Sequence, residues 1–437
     1  MAKCSRRRVV KGAGAAGLVS LAGCASSNKS GSSNSGSETG SSSGGGGSEG
    51  SVSITYRDRE QRFAPVGKAF NESHSNIDLK TSIKPEQSKY RSLVAQITAG
   101  NAPTVVGLDQ LYLARFVSLG ALADLSTYEK SASYTSDIFE PLKTAFITWK
   151  GKTYGMPYWI DTSLYLYNKT HYEKAGLDPS NPPTTWSDFL AACDKLKQAG
   201  YTPLSNTLGL LGLETFFFLP FAWAGGATFF NDKRTKTLID QKPAVEALKF
   251  FKEISDKGYS TDQTQNQHFT YPAFESGKAS MAFSGAGVGP IRKKAPKVFK
   301  NMGTALFPKP RGGKNVACLG GNCAVLTKQA KKHQQKFSAA KSFVDWIHSK
   351  DGMSTIAKDT GYLPSRKSGF KLQYYQNHWD IYSTYKSALT NGHAMPKHPQ
   401  YDQMQEPLNN AITRALKGKQ SPKKALSEAA TKINQVL

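Results

Sequence analysis

Acidic residues are scarce in this chain. Its 437 residues include 32 Asp and Glu against 57 Lys and Arg, a formal net charge of +25. Such an excess could draw nucleic acid, an anionic membrane face or an acidic ligand. The lysines, however, are scattered over body and tail, and no recognisable nucleic-acid module is present, so no nucleic-acid partner is expected. The charge reads as a solvated basic surface, suited to an acidic medium or an anionic cell surface. Catalytic signatures are missing too: no HExxH, no GxSxG, no Walker A, and no GxGxxG after a strand. The eight histidines do not fall at metal-ligand spacings. His393 and His398, on either side of Pro396, read as loop residues, so neither metal nor cofactor is expected. Long hydrophobic runs are also lacking. Gly12–Ala22 is far shorter than the ~20 residues that span a bilayer, and Phe216–Leu219 is followed at once by Pro220.

The amino terminus nevertheless has an export pattern. Ser5–Lys11 reads SRRRVVK, and its arginines before a short apolar run resemble a twin-arginine signal. That run ends in Leu21-Ala22-Gly23-Cys24, which resembles a lipobox, so residues 1–24 are expected to be a lipoprotein signal with Cys24 as the lipidated residue. Two or more acyl chains hold a protein to a bilayer far more firmly than one. Residues 25–51 are almost wholly Ser, Gly and Asn, with nothing apolar to bury, and are expected to form a disordered tether. Its ends would lie on the order of 30 Å apart.

The remaining body, from Val52 to Leu437, is long for a single core and suggests two lobes. Val52–Tyr56, Ile77–Ile83 and Pro103–Leu108 read as strands. Between them Phe63, Val66 and Phe70, then Tyr90, Leu93, Val94 and Ile97, read as helix faces. This β-α-β-α-β order implies a parallel sheet, and ligands of such sheets sit beyond the carboxyl ends of strands. Arg57, Asp58 and Arg59, and Asp109 with Gln110, occupy those ends. Further on, helices are expected after Thr185, after Pro243, around Phe337–Ile347, over Leu408–Leu416 and from Ser421-Pro422 onward; a strand is expected at Cys323–Leu326. Of the five cysteines, Cys4 leaves with the signal and Cys193 sits on an apolar helix face. Cys318 and Cys323 could either form a disulfide outside the cytoplasm or stay free thiols.

One stretch is distinctive. Gly151–Leu196 contains GKTYGMP, a polar interruption at Asp161-Thr162-Ser163, LYLYNK, AGL, PPTTW and a capped helix. In this order it resembles the extracellular solute-binding proteins of sugar ABC importers, the family that includes the maltose-binding protein. FESGKASMAFSG at Phe274–Gly285 and GYLPSR at Gly361–Arg366 also fit the family pattern, except that Gly287-Val288 stand where many relatives carry a tryptophan. The resemblance implies an α/β, two-lobe periplasmic-binding-protein-like (type II) fold with a hinge and an interlobe cleft. Residues 52–160 with 320–358 would form one lobe, and 164–315 with 366–437 the other. The chain would cross near 161–163, 314–320 and 362–365.

It further implies a non-enzymatic, monomeric, lipid-anchored binding protein on the outer face of the cytoplasmic membrane. Such a protein would hand a sugar, oligosaccharide or polyol to a membrane permease. The expected ligand contacts are Arg57, Asp109 and Trp159 from the first lobe, Trp223 and Ser284 from the second, and Asp161 and Tyr362 from the crossings. Aromatic faces suit the C–H face of a pyranose, and carboxylates its hydroxyls; Tyr158 and Trp379 are further aromatic candidates. Three alternatives remain open at this level: an exported glycan-active enzyme, a binder of a phosphorylated polyol such as glycerol phosphate, and a polyanion-binding surface protein.

Overall fold

Parallel pairing opens the fold. In the computed structural model, which describes residues 51–84, 86–205, 214–261, 271–285 and 288–437, β1 (Val52–Asp58) runs beside β2 (Ile77–Ile83) from Val52↔Ile77 to Asp58↔Ile83. On its other side β1 pairs with β3 (Val105–Asp109). The alternation read from the sequence works physically: Ile54 and Tyr56 go inward while Thr55 stays exposed. The helices Ala64–Ser73 and Glu86–Thr98 make the two crossovers. Residues 1–50, which hold the expected export signal, Cys24 and all but the last residue of the expected tether, lie outside the described residues, as does Gly287; the described residues belong to one compact unit.

A hairpin, β4 (Thr148–Trp149) and β5 (Lys152–Thr153), turns through Lys150 and Gly151. Next come β6 (Met156–Thr162) and β7 (Leu164–Asn168), which belong to different sheets. The first crossing therefore narrows to Ser163. Asp161 and Thr162, read as interrupting the strand, continue it, because a neighbouring strand supplies their ladder: Leu319↔Thr162 and Gly320↔Asp161.

β7 lies between β9 (Ala279–Ser284) and β10 (Met302–Ala305), antiparallel to both, with β8 (Thr202–Leu204) beyond β9. The chain then returns as β11 (Cys318–Leu326), followed by β12 (Leu363–Pro364) and β13 (His393–Ala394). The first sheet has the order β12-β6-β11-β3-β1-β2, with β13 against β11. β11 starts five residues before the sequence signal at Cys323. Its Gly320-Gly321 pair reads as a loop but lies inside the strand. At Gly321 φ is +133°, and a Cβ there would fall 2.4 Å from the Trp159 carbonyl oxygen; close backbone approach is what glycine permits.

The described residues form two apolar clusters, and the first reaches past its own sheet to Leu164 and Leu166 of β7, Ala282 of β9 and Met302 of β10. The first gathers Ile54, Phe63, Val105, Leu108, Trp159 and Val325; the second is rich in phenylalanine, with Phe217, Phe221, Phe251 and Phe307 in ring contact with Phe283. Phe370, Tyr375 and Tyr382 pack into the first cluster, so the segment after β12 serves both. The helix Trp186–Gln198 is capped as its sequence suggests, Thr185 Oγ1 accepting from the Asp188 N–H at 3.2 Å, and Ser421 caps Pro422–Asn434 in the same way. The helix Glu214–Ala224 continues through Pro220. Among the described residues no helix is long and apolar enough to cross a membrane.

Candidate functional site

A buried carboxylate fixes the exit from β1. Asp58 is 0% exposed and accepts from the Tyr56 and Tyr158 hydroxyls. It also accepts from the backbone N–H groups of Arg59 at 2.6 Å and Glu60 at 3.1 Å. Gly107 on β3 leaves the room, since a Cβ there would sit 2.2 Å from Asp58 Oδ2. Burial first, and then the Asp58 charge, push both tyrosine hydroxyls well above the ordinary tyrosine range, so they stay protonated donors. The chain leaving β1 is thus held in one path, which delivers Arg59 and Arg62.

Those two cations meet two rings. Arg59 pairs with Asp109 at 2.8 Å, and its guanidinium stands over Trp159 at 5.3 Å. Trp159 stacks on Tyr362 with centroids 3.9 Å apart. Arg62 stands over Tyr362 at 4.4 Å, donates to its hydroxyl at 2.6 Å and to the Thr360 carbonyl at 2.8 Å, and pairs with Glu60 at 3.2 Å. The register explains the gathering: Asn322 on β11 pairs with Asp109 on one side and Trp159 on the other, while Pro364 pairs with Trp159 beyond. Strands lie about 4.8 Å apart, so Asp109 and Trp159 are within one arginine's reach. The β6–β11 ladder is irregular between Asn322 and Cys323, which lets Tyr158 and Trp159 both approach Phe63, at 5.4 and 6.0 Å. Trp159 Nε1 and Asn322 Oδ1 are buried and have no hydrogen-bond partner among the described residues. Buried polar atoms are nearly always satisfied, so these two stand out among the polar groups of this neighbourhood.

Asp161 lies two residues after Trp159 and is 4% exposed. It faces Gly320, where a Cβ would come 2.0 Å from Asp161 Oδ1 and 3.1 Å from the Phe216 ring. Phe216 packs against the second cluster, so this is where the two sheets' elements meet. Nearby, Thr162 donates its N–H to the Gly285 carbonyl at 3.1 Å.

Of the expected contacts, the structure brings Asp109, Trp159, Asp161 and Tyr362 into one neighbourhood, sets Ser284 beside it through Tyr271, which feels the Asp161 charge, and places Arg57 and Trp223 apart. Arg57 alternates away from Tyr56 and Asp58 and donates to Ser92 at 3.3 Å. Trp223 lies against His393, 5.6 Å between centroids. Ser284 is 0% exposed and takes part in a buried contact with the Tyr271 hydroxyl at 3.2 Å, whose phenol burial pushes up to about 12. Trp379 is 38% exposed and lies 6.4 Å from Phe370. Tyr158 is committed to Asp58. The disulfide alternative is corrected: Cys318 and Cys323 are both buried but lie at opposite ends of the span from the start of β11 to its middle. Five residues of strand separate them by roughly 16 Å, far beyond the ~6 Å a disulfide spans. Sequence reasoning missed Arg62, Asn322 and Gly320 as site residues and left Arg59 as one of several strand-end charges. The arginine spacing after β1 was a usable signal; the role of Asn322 follows from register alone. Among the described residues no cluster of three or more His, Cys, Asp or Glu could hold a metal.

Two sheets, joined by a chain that crosses directly from β6 to β7 and returns through β11, define the two-lobed type II fold of periplasmic binding proteins. Solved structures agree. The solute-binding protein of Thermotoga lettingae bound to α-D-tagatose has a TM-score of 0.74 and 25% identity, covering 88% of this chain and 100% of that one. Maltose-bound MalE3 of T. maritima has a TM-score of 0.77 and 21% identity, covering 89% and 100%. Residues 66–381 match the model of the bacterial extracellular solute-binding protein family, and the chain belongs to that family. A Brucella abortus protein known only as a binding protein is 26% identical over 403 residues, 89% of this chain and 93% of its own. The sn-glycerol-3-phosphate-binding periplasmic protein of Salmonella paratyphi A is 23% identical over 396 residues, covering 85% and 88%. The protein is accordingly an extracytoplasmic solute-binding protein and not an enzyme, which sets aside the glycan-active alternative.

Proposed function

We propose that this protein is the lipid-anchored, monomeric binding component of an ABC importer, and that it holds a sugar, oligosaccharide or polyol between its lobes for delivery to the permease. The observation that carries this reading is the Trp159–Tyr362 stack, 3.9 Å between centroids, beside the Arg59–Asp109 pair. It offers apolar ring surface, an unsatisfied indole N–H and charged groups for hydroxyls in one place. Both rings are 1% exposed, so a ligand there would be enclosed, and its entry needs the lobes to part. A ligand that touches both lobes shifts that equilibrium by its preference for the closed state.

A phosphorylated polyol is the second reading. Arg59 and Arg62 beside the rings favour it, and the Salmonella relative is named for glycerol 3-phosphate. A thermal-shift screen over sugars, polyols and glycerol 3-phosphate separates the two. A true ligand at a hundred times its dissociation constant adds about 2.7 kcal/mol and is recovered unchanged. No stabilisation by any member of the set, or a cleaved ligand, overturns the proposal. The anchor has its own test: Cys24→Ala should move the protein from the membrane to the soluble fraction of cells, and continued membrane retention would reject lipidation at Cys24.

A further inference from the structure

A second cavity, of about 610 Å³, shares no residue with the site above; Thr144, Thr148, Trp149, Lys150, Arg234 and Lys397 are among the residues that line it. Its charge is one-sided. Lys150, Arg234 and Lys397 are cations, no carboxylate lines the cavity, and none of the three forms an ion pair among the described residues. Lys397 is only 8% exposed. Its ammonium donates to the carbonyls of Thr148 and, at 3.5 Å, Thr144. Arg234 donates to the Lys397 carbonyl at 3.0 Å and stands over the Trp149 ring at 5.8 Å.

The backbone supplies a second, independent observation. Among the described non-glycine residues, left-handed backbone occurs at Lys150, φ 47°, and Arg234, φ 54°. Such conformations are costly for residues with a Cβ and persist where surrounding structure enforces them. Both instances carry a cation to this one cavity. Burial, with a smaller contribution from Arg234, holds the Lys397 ammonium down at about 8, so positive charge there is under-compensated. The walls also have different origins: Ala145 and Trp149 pack on the first apolar cluster, and Met395 packs in the second.

We infer that this cavity is an oxyanion site, built to take one phosphate group either as a free ion or as part of a lipid headgroup. A bound phosphate would offset part of the charge of the three cations and grip elements of both clusters at once, which raises thermal stability.

The test titrates inorganic phosphate into the protein by calorimetry at constant ionic strength set with chloride, and in parallel measures binding to phosphatidylglycerol vesicles. The comparison is the double variant Lys150→Asn, Arg234→Asn; asparagine tolerates left-handed backbone, so the fold is kept while both charges go. The exposed pair Lys331→Asn, Lys332→Asn serves as the control for charge alone. One phosphate per chain, bound at least tenfold more weakly by the double variant and equally by the control, supports the site. Binding to vesicles alone, lost in the double variant and kept in the control, supports it with the headgroup as the source. Equal losses in the two variants, equal binding by wild type and double variant, or no saturable binding of either probe overturns it.

Discussion

The indole of Trp159 lies on the phenol of Tyr362, ring centroids 3.9 Å apart and planes at 24°. The two come from sequence positions two hundred residues apart and are joined because β12 pairs with β6, with Pro364 opposite Trp159. Each ring also has a guanidinium over it, from Arg59 and Arg62 respectively. Two rings and two cations, with an indole N–H that has no hydrogen-bond partner among the described residues, form one buried polar-and-aromatic cluster near the crossings.

Removing that indole should show directly in binding. Trp159→Ala is expected to weaken ligand affinity at least tenfold by calorimetry, and to cost about 3–5 kcal/mol of stability as a large ring deleted from a core. Trp159→Phe limits the stability loss, since it keeps one aromatic ring while removing the N–H and the second ring of the indole. Its affinity should fall while its thermal midpoint stays within a few degrees of wild type. Wild-type affinity in both variants would exclude the stack from the ligand site.

Asp109 does two jobs that a single substitution can separate. It pairs with Arg59, and its Oδ1 accepts from the Leu111 N–H at 2.9 Å, capping the short turn Gln110–Tyr112. Asp109→Asn preserves the cap oxygen and removes the charge. The ion pair is largely buried, with side chains 12% and 9% exposed, so breaking it should cost about 3 kcal/mol, measured by urea unfolding. Ligand affinity should drop tenfold or more, because Arg59 loses the partner that holds it over Trp159. A stability change under half a kcal/mol with unchanged affinity would show that the pair is incidental.

Gly320 sets the space beside Asp161. A methyl group there would lie 2.0 Å from the Asp161 carboxylate and 3.1 Å from Phe216, and strand backbone on both sides limits retreat. Gly320→Ala should cost about 1–3 kcal/mol as overpacking and weaken ligand binding by displacing Asp161. If the variant binds as wild type and melts at the same temperature, Asp161 is not part of the site wall.

Where the sequence was legible, the signal was local. Alternation placed β1, β2 and β3; Thr185 and Ser421 marked helix starts; Gly200 and Gly258, at φ 85° and 62°, marked stops. The motif order from Gly151 to Leu196 identified the family and, with it, the two-lobed architecture. What was not legible depended on partners distant in sequence. Gly320 and Gly321 belong to a strand because Asp161 and Trp159 crowd them, and nothing local says so. Trp223 beside two glycines reads as a ligand contact; its ring lies 5.6 Å from that of His393, a neighbour that no local pattern announces. Arg59 reads only as one of several strand-end charges and Arg62 carries no signal of its own; the fold brings Asp109 and the two rings beside them.

Lys397 predicts a pH dependence of stability. Burial lowers its folded-state pKa to about 8, below the ~10.4 of an unfolded chain. Below pH 8 both states carry the proton, and the folded state bears the full cost of a buried ammonium. Between about 8 and 10.4 the unfolded state binds more protons, so stability contributed by this residue rises with pH and levels off above that window. The total swing is about 3 kcal/mol. Other titrating groups cancel if the wild type is compared with Lys397→Met at each pH. The wild type should gain stability relative to the variant as pH climbs from 7 to 10.5, whichever protein is the more stable at pH 7. Urea midpoints in chloride buffer measure this, and a difference that stays flat across the window would show that Lys397 titrates normally in the folded protein.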